Sequence, residues 1–359
     1  MTSIITETYK VHFNDIAYNE LNTYVKDNNF SKVFILVDSN THEYCLSKFM
    51  SHLTFDNAIE VIEIDAGEHH KSIDTCVGVW NVLSELGADR KSLMLNLGGG
   101  VVTDLGGFVA CTFKRGIEYI NIPTSLLAMV DASVGGKTGV DLGTLKNQVG
   151  VISSGAMVLV DTSYLETLPK DHLRSGLAEM LKHGLITNRN YFDSLTDLSA
   201  LTLNDLDKLI YDSVVIKKDI VTEDPNELSV RKHLNFGHTL GHAIESYFLS
   251  HQEKPDLLHG EAIAVGMILE CYLSSKLLNF PNSDLEYITQ VIHSIYDHIT
   301  IESTDHDAII DLLKYDKKNS HGKVNFVLLE QIGQPKINCS VPNELIIDSF
   351  NYYSASSSS

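Results

Sequence analysis

Between residues 33 and 160 the chain repeats one pattern, a short apolar run followed by a turn or by a segment with helical spacing. The runs are VFILV (33–37), AIEVIEI (58–64), LMLNL (93–97), IEYINI (117–122) and MVLV (157–160). Runs of this length, bounded by turn residues, read as buried strands. Residues 72–88, SIDTCVGVWNVLSELGA, place apolar side chains at helical spacing and close on Gly87. Strands separated by helical segments imply a mostly parallel sheet covered on both faces. The opening MTSIITETYKVHF alternates apolar and polar residues like a first strand and lacks the basic start and apolar core of a signal peptide.

From about residue 170 the texture is helical almost throughout: LRSGLAEMLKHGLI, NDLDKLIYDSVVIKKDIV, HTLGHAIESYFL and EAIAVGMILECYLSSKLL. One late apolar run, KVNFVLL (323–329), is a candidate strand. The expectation is an α/β domain over residues 1–169, an all-α domain over 170–350, and a flexible tail over 351–359 ending in SASSSS.

A formal charge of −20 argues against a nucleic-acid partner, whose phosphates would be repelled. It leaves room for a small anionic substrate in a locally positive pocket, so clusters of Lys and Arg carry information. No run approaches the roughly 20 apolar residues of a membrane helix. The five cysteines (Cys45, Cys76, Cys111, Cys271, Cys339) are scattered without a CxxC pair, which suggests neither a disulfide framework nor a cysteine zinc site and points to the reducing cytoplasm.

Three motifs bear on chemistry. LNLGGGVVTDLGGFVACTF runs from a strand through three glycines into a helix, where backbone N–H groups can approach a pyrophosphate. The GxGxxG fingerprint is not met, because Thr103 stands in the last glycine position, and a simple tight turn fits the same residues. Asp38 and Asn40, after VFILV, suit a ribose hydroxyl or a plain turn. SVGGKTGVDLGTLKN places Lys137, Lys146 and Asn147 in a glycine-rich loop; a P-loop reading fails because Asp131 occupies its first glycine position. What remains suits phosphate or hydroxyl groups, or is a solvated loop.

In NFGHTLGHAIE, His238 and His242 stand at i and i+4, with Glu245 three further, all on one helical face. Imidazoles on adjacent turns can converge on one metal ion, although a polar helix face shows the same spacing. HGEAIAVGM adds His259 and SGLAEMLKHG adds Glu179, which could alternatively pair with His183 at i+4. An open zinc site needs about three protein ligands.

Taken together, GGGVVTDLGGF, FKRGIEYINIPTSLLAMVDASVGGKTGV, LKN, TLP, SGLAEMLKHG, RKHLNFGHTLGHAIE, HGEAIAVGM and DKK resemble, in this order, the motifs of the 3-dehydroquinate synthase family, from about residue 30 to about 330. The resemblance implies a Rossmann-like NAD domain, a helical metal- and substrate-binding domain, a site in the cleft between them, and a cytoplasmic homodimer. It makes Glu179, His238 and His259 ligands of zinc or cobalt. Lys137, Asn147 and one of Lys317 and Lys318 correspond to contacts on the phosphate side, and Arg115 to an arginine contributed across the dimer interface. Asp131, Lys182, Lys217, Arg231, Asn235 and His242 correspond to contacts with the substrate's hydroxyls and carboxylate. Asp38, Asn40, Glu68, Lys71, Gly99, Gly100, Val101, Asp104, Thr124, Ser125, Lys146 and Thr167 fall at NAD positions. The chain departs from the family pattern at Thr103, at Ser125, in GVDLGT and in ISSGAMV.

The implied reaction converts 3-deoxy-D-arabino-heptulosonate 7-phosphate, a small anionic sugar phosphate, to 3-dehydroquinate and phosphate. It proceeds by oxidation at C5, β-elimination of phosphate, reduction and aldol closure, with NAD recycled and the metal acting as a Lewis acid. The alternative is a related sugar-phosphate cyclase that makes an inosose or a valiolone; Arg231, Asn235 and His242 together favour a substrate bearing a carboxylate.

Overall fold

The computed structural model describes residues 1–143, 145–196, 203–251, 253–315 and 324–356. The chain divides into two compact units, Met1–Leu173 with Asp205–Lys218, and Arg174–Asn204 with Asp219–Ser359. The middle of the helix Leu203–Glu223 thus groups with the first unit, where Tyr211 packs on Phe13 with ring centroids 5.2 Å apart.

The first unit is built on a seven-stranded sheet. Its strands are β1 (Ile4–Ile5), β2 (Lys10–Phe13), β3 (Val33–Asp38), β4 (Ile59–Ile64), β5 (Leu93–Gly98), β6 (Glu118–Pro123) and β9 (Met157–Val160), in the spatial order β1-β2-β9-β6-β5-β3-β4. Every pairing is parallel except β1 with β2. All six residues of β3 and of β5 are buried, as expected of central parallel strands covered on both faces. The chain leaves β3 towards β4 on one side and returns to β5 on the other, so the order reverses between β3 and β5. Doubly wound folds bind ligands at the strands' carboxyl ends beside such a reversal.

The helix Gly100–Thr112 follows β5 and lies against a second, two-stranded sheet, β7 (Lys137–Leu142) and β8 (Leu145–Ile152). This hairpin corrects the expectation of a glycine-rich loop: the strands pair antiparallel, Lys137 opposite Ile152 and Val140 opposite Val149. The many glycines hid a strand whose four middle residues are buried. A Cβ on Gly107 would lie 2.5 Å from Thr138 Cγ2, so glycine is needed for this helix and hairpin to approach so closely.

The second unit is mainly helical. Its central helices are Lys170–Thr187 (from Arg174 onward), His238–Ser250 and His259–Leu277, joined by the hairpin β10 (Phe326–Gln331) and β11 (Gln334–Cys339). The late apolar run is therefore a strand, displaced by a few residues from its expected place. A Cβ on Gly266 would fall 2.0 Å from the carbonyl oxygen of Gly237, which lets the His259 helix cross the start of the His238 helix at backbone contact. Residues 351–356, expected as part of a tail, instead continue the last helix, Asn343–Ser356. Serine-rich composition suggested disorder, but Ile346, Phe350 and Tyr353 fall on one helical face and are buried.

Candidate functional site

In the first unit the candidate residues gather at the carboxyl ends of β3, β5 and β6. Asp38 ends β3 and is buried; its Oδ1 accepts from Thr41 N at 2.8 Å and caps the short helix Ser39–Thr41, while Asn40 is exposed. Gly99 caps the helix that begins Gly100-Val101, and the Thr103 hydroxyl folds back onto the carbonyls of Gly99 and Gly100, each at 3.2 Å. Backbone N–H groups at this helix start form a surface suited to an anion. Thr124 and Ser125 follow β6. Thr124 and Thr167 both reach the thiol of Cys45, a residue that sequence reasoning did not single out; burial first, and Asp38 next, push that thiol up to about 11.

Beside them lies a partly buried charged network. Lys71 Nζ donates to Asp104 Oδ2 at 2.7 Å and to Asn147 Oδ1 at 2.6 Å, and Lys146 Nζ donates to Glu68 Oε1 at 2.6 Å. Asp141 joins it: its Oδ1 accepts from Asn147 N at 2.5 Å and its Oδ2 is 3.7 Å from Lys146. Burial disfavours the charge on Lys71, but Asp104, Glu68 and Asp141 outweigh this and raise its pKa. Burial raises the carboxyls of Asp104 and Asp141, with Lys71 opposing in both. Asn147, expected on the phosphate side of a substrate, therefore sits with four of the residues expected at NAD. Asp141 was missed; its signal lay in GVDLGT, a departure from the usual family stretch.

Lys217, from the helical segment grouped with this unit, donates to both Asp131 Oδ1 and the Asp131 carbonyl at 2.5 Å. Lys137 and Arg115 are exposed, and Lys114 and Arg115 both hold left-handed backbone, φ 49° and 69°. Lys317 and Lys318 lie outside the described residues.

In the second unit Glu179, His238 and His259 converge. Glu179 is fully buried, and among the described residues its Oε1 has no hydrogen-bond donor, while lying 3.3 Å from His238 Nε2 and 3.6 Å from His259 Nε2. Its other oxygen pairs with Lys182. His242 stands against both imidazoles, with ring centroids 5.0 Å from His238 and 5.6 Å from His259. Burial opposes ionisation of Glu179, yet Lys182 and His238 hold its carboxyl well below the usual range. Burial, with Lys182 acting the same way, lowers His238. Three imidazoles, each with a nitrogen within 4.8 Å of the others', beside a buried carboxylate oxygen, match the donor set and openness of a zinc or cobalt centre.

Glu270 supports this centre. It lies on the His259 helix, and its carboxylate accepts from Gly237 N (2.7 Å), Thr239 N (3.1 Å) and Leu240 N (3.3 Å) at the start of the His238 helix. One buried side chain thus ties together the two helices that carry the imidazoles. Arg231 is 2% exposed, with its Nη1 donating to Pro225 O at 2.7 Å and its backbone N to Asp224 Oδ2 at 3.1 Å. Asn235 Nδ2 donates to Glu227 Oε1 at 2.7 Å. Neither Glu227 nor Glu270 had been singled out; Glu227 sits four residues before Arg231, but Glu270 lies in an apolar helix whose pattern reads only as core.

Residues 61–175 match the family described as 3-dehydroquinate synthase N-terminal, and residues 176–319 that described as 3-dehydroquinate synthase C-terminal. The chain is 43% identical to a 3-dehydroquinate synthase of Parabacteroides distasonis over 93% of this chain and 95% of the other. It is 38% identical to one of Streptococcus pyogenes over 90% of each. Among solved structures it is similar to 2-epi-5-epi-valiolone synthase of Streptomyces hygroscopicus with NAD+ and Zn2+ bound (TM-score 0.84, 25% identity, 99% of each chain). It is also similar to a 2-deoxy-scyllo-inosose synthase complexed with carbaglucose-6-phosphate, NAD+ and Co2+ (TM-score 0.82, 25% identity, 98% of this chain and 100% of the other).

Proposed function

The chain belongs to the 3-dehydroquinate synthase family, and from that premise we propose how its own residues convert 3-deoxy-D-arabino-heptulosonate 7-phosphate to 3-dehydroquinate and phosphate. The observation that carries the proposal is the convergence of the buried Glu179 Oε1 with the Nε2 atoms of His238 and His259 at 3.3 and 3.6 Å. These three residues hold a zinc or cobalt ion. NAD, when bound, accepts and returns a hydride, and the metal supplies a Lewis acid.

The carboxyl ends of β3, β5 and β6 take the dinucleotide. Gly99, Gly100 and Val101 offer backbone to its pyrophosphate; Asp38, Asn40, Thr124, Ser125 and Thr167 line the strand ends; Glu68, Lys71, Asp104 and Lys146 form a pre-paired charged wall. A network already paired in the free protein costs little reorganisation when cofactor arrives. The family resemblance assigns the phosphate to Lys137, to one of Lys317 and Lys318, and to Asn147, which reaches it from the paired network, with Arg115 supplied by a second copy in a homodimer. Asp131 with Lys217, and Lys182 with His242 and Asn235, fix the hydroxyls.

Arg231 takes the carboxylate. Its guanidinium is buried and oriented by Pro225 O, so a substrate without an acid would leave the cation desolvated. A charge-assisted hydrogen bond of this kind is worth about 1.5–3 kcal/mol, roughly ten- to more than a hundredfold in binding. The test is phosphate release from the heptulosonate phosphate compared with sedoheptulose 7-phosphate, which lacks the carboxylate. Little turnover of the second sugar, and an Arg231→Ala variant that loses about tenfold or more in kcat/KM while retaining NAD and metal, are expected. Equal turnover of the two sugars by the unaltered protein would refute the carboxylate role.

A further inference from the structure

His238 and His259 share an unusual placement: each is the first residue of its helix. A side chain at that position has no preceding helical turn to pack against, so the helix alone does not fix its ring. The structure supplies a separate acceptor for each. His238 Nδ1 lies 3.1 Å from the carbonyl oxygen of Phe236, and His259 Nδ1 lies 3.1 Å from Glu245 Oε2. A carbonyl and a carboxylate can only accept, so each contact is a hydrogen bond only if the proton sits on Nδ1. In the neutral ring, that proton makes Nε2, 3.3 Å (His238) and 3.6 Å (His259) from Glu179 Oε1, the nitrogen left with a lone pair for a cation.

The two acceptors differ. Phe236 offers a neutral carbonyl, whereas Glu245 offers a carboxylate that is itself 5% exposed and stands on the helix that begins with His238. Sequence spacing placed Glu245 on the same face as His238 and His242, and no role for it followed from the metal ligands or the substrate contacts. We propose that Glu245 is a positioning residue, which fixes the tautomer and ring direction of His259 and raises the basicity of its Nε2 towards a divalent cation. This rests on the metal reading above. Outer carboxylates behind ligating histidines typically account for about 10–100-fold in metal affinity.

The test uses the full chain freed of metal by chelation and titrated with Co2+, followed by visible absorption. Glu245→Gln keeps an oxygen that can accept from Nδ1 but loses the charge, and is expected to bind cobalt about tenfold more weakly. Glu245→Ala loses both, and is expected to approach a hundredfold, with an altered absorption band. A purely structural role would instead lower the melting temperature of the metal-free protein and leave the cobalt affinity of the folded fraction unchanged. Cobalt affinity of Glu245→Gln within about twofold of the parent would overturn the proposal, whether or not Glu245→Ala folds. A parent chain that binds no cobalt would overturn the metal reading and this proposal with it; tight binding by parent and variants alike would overturn this proposal alone.

Discussion

Replacing Glu270 with glutamine changes one oxygen to an NH2 group and removes one charge, yet the structure predicts a large effect. The two carboxylate oxygens accept from three backbone N–H groups, Gly237 on Oε2 and Thr239 with Leu240 on Oε1. A glutamine amide offers an oxygen to one side only, so its NH2 must face a backbone N–H. The less costly orientation keeps the Thr239 and Leu240 bonds and sets the NH2 against Gly237 N, where 2.7 Å now separates two donors. A lost hydrogen bond to a charged group costs about 1.5–3 kcal/mol. Loss of the anion at the helix N-terminus adds up to about 2 kcal/mol in a buried setting. The expected destabilisation is therefore about 1.5–5 kcal/mol. It should appear in urea unfolding of the metal-free protein followed by far-UV circular dichroism. Because Gly237 immediately precedes His238, weaker cobalt binding should accompany it. A loss below about 1 kcal/mol would refute the view that this carboxylate anchors the helix start.

Gly266→Ala sets a Cβ 2.0 Å from the Gly237 carbonyl oxygen and 2.9 Å from Gly241 N, both backbone atoms; forcing the helices apart should cost about 1–3 kcal/mol or more, read as a lowered thermal midpoint. Burial opposes ionisation of Asp224, but the N–H groups of Leu228, Ser229 and Arg231 hold its carboxyl down to about 2. A folded pKa below the unfolded value of about 3.9 means that this stabilisation is complete above about pH 4 and is lost as the pH falls towards 2. Asp224→Asn should therefore lower stability at neutral pH and flatten the acid dependence in that window, measured by unfolding across pH; an unchanged acid limb would contradict it.

Much of the first unit was legible in the sequence because its central strands are buried on both faces and read as unbroken apolar runs bounded by turns. The hairpin β7–β8 was not, since glycines at close backbone approaches carry no apolar signal and look like a loop. The final helix was hidden by its serines, which say nothing about the buried face formed by Ile346, Phe350 and Tyr353. In the candidate metal centre the spacing of His238, His242 and Glu245 marked one helical face, while Glu179 and His259 were separate candidates that only the family resemblance joined into one ligand set, because nothing local links residues so far apart in sequence. The supporting carboxylates were harder still. Glu270 and Asp141 act through backbone N–H groups that the fold brings to them, and such partnerships have no spacing of their own.

This chain uses NAD as a recycled catalyst to eliminate phosphate from a seven-carbon sugar acid phosphate and close its ring. The most direct measurement follows inorganic phosphate, 3-dehydroquinate and NADH absorbance together, in one reaction of the metal-loaded protein with 3-deoxy-D-arabino-heptulosonate 7-phosphate. Phosphate and 3-dehydroquinate appearing in equal amounts, through many turnovers and without accumulation of NADH, is the predicted result. NADH rising in step with substrate consumption, or phosphate released without formation of the carbocycle, would contradict it.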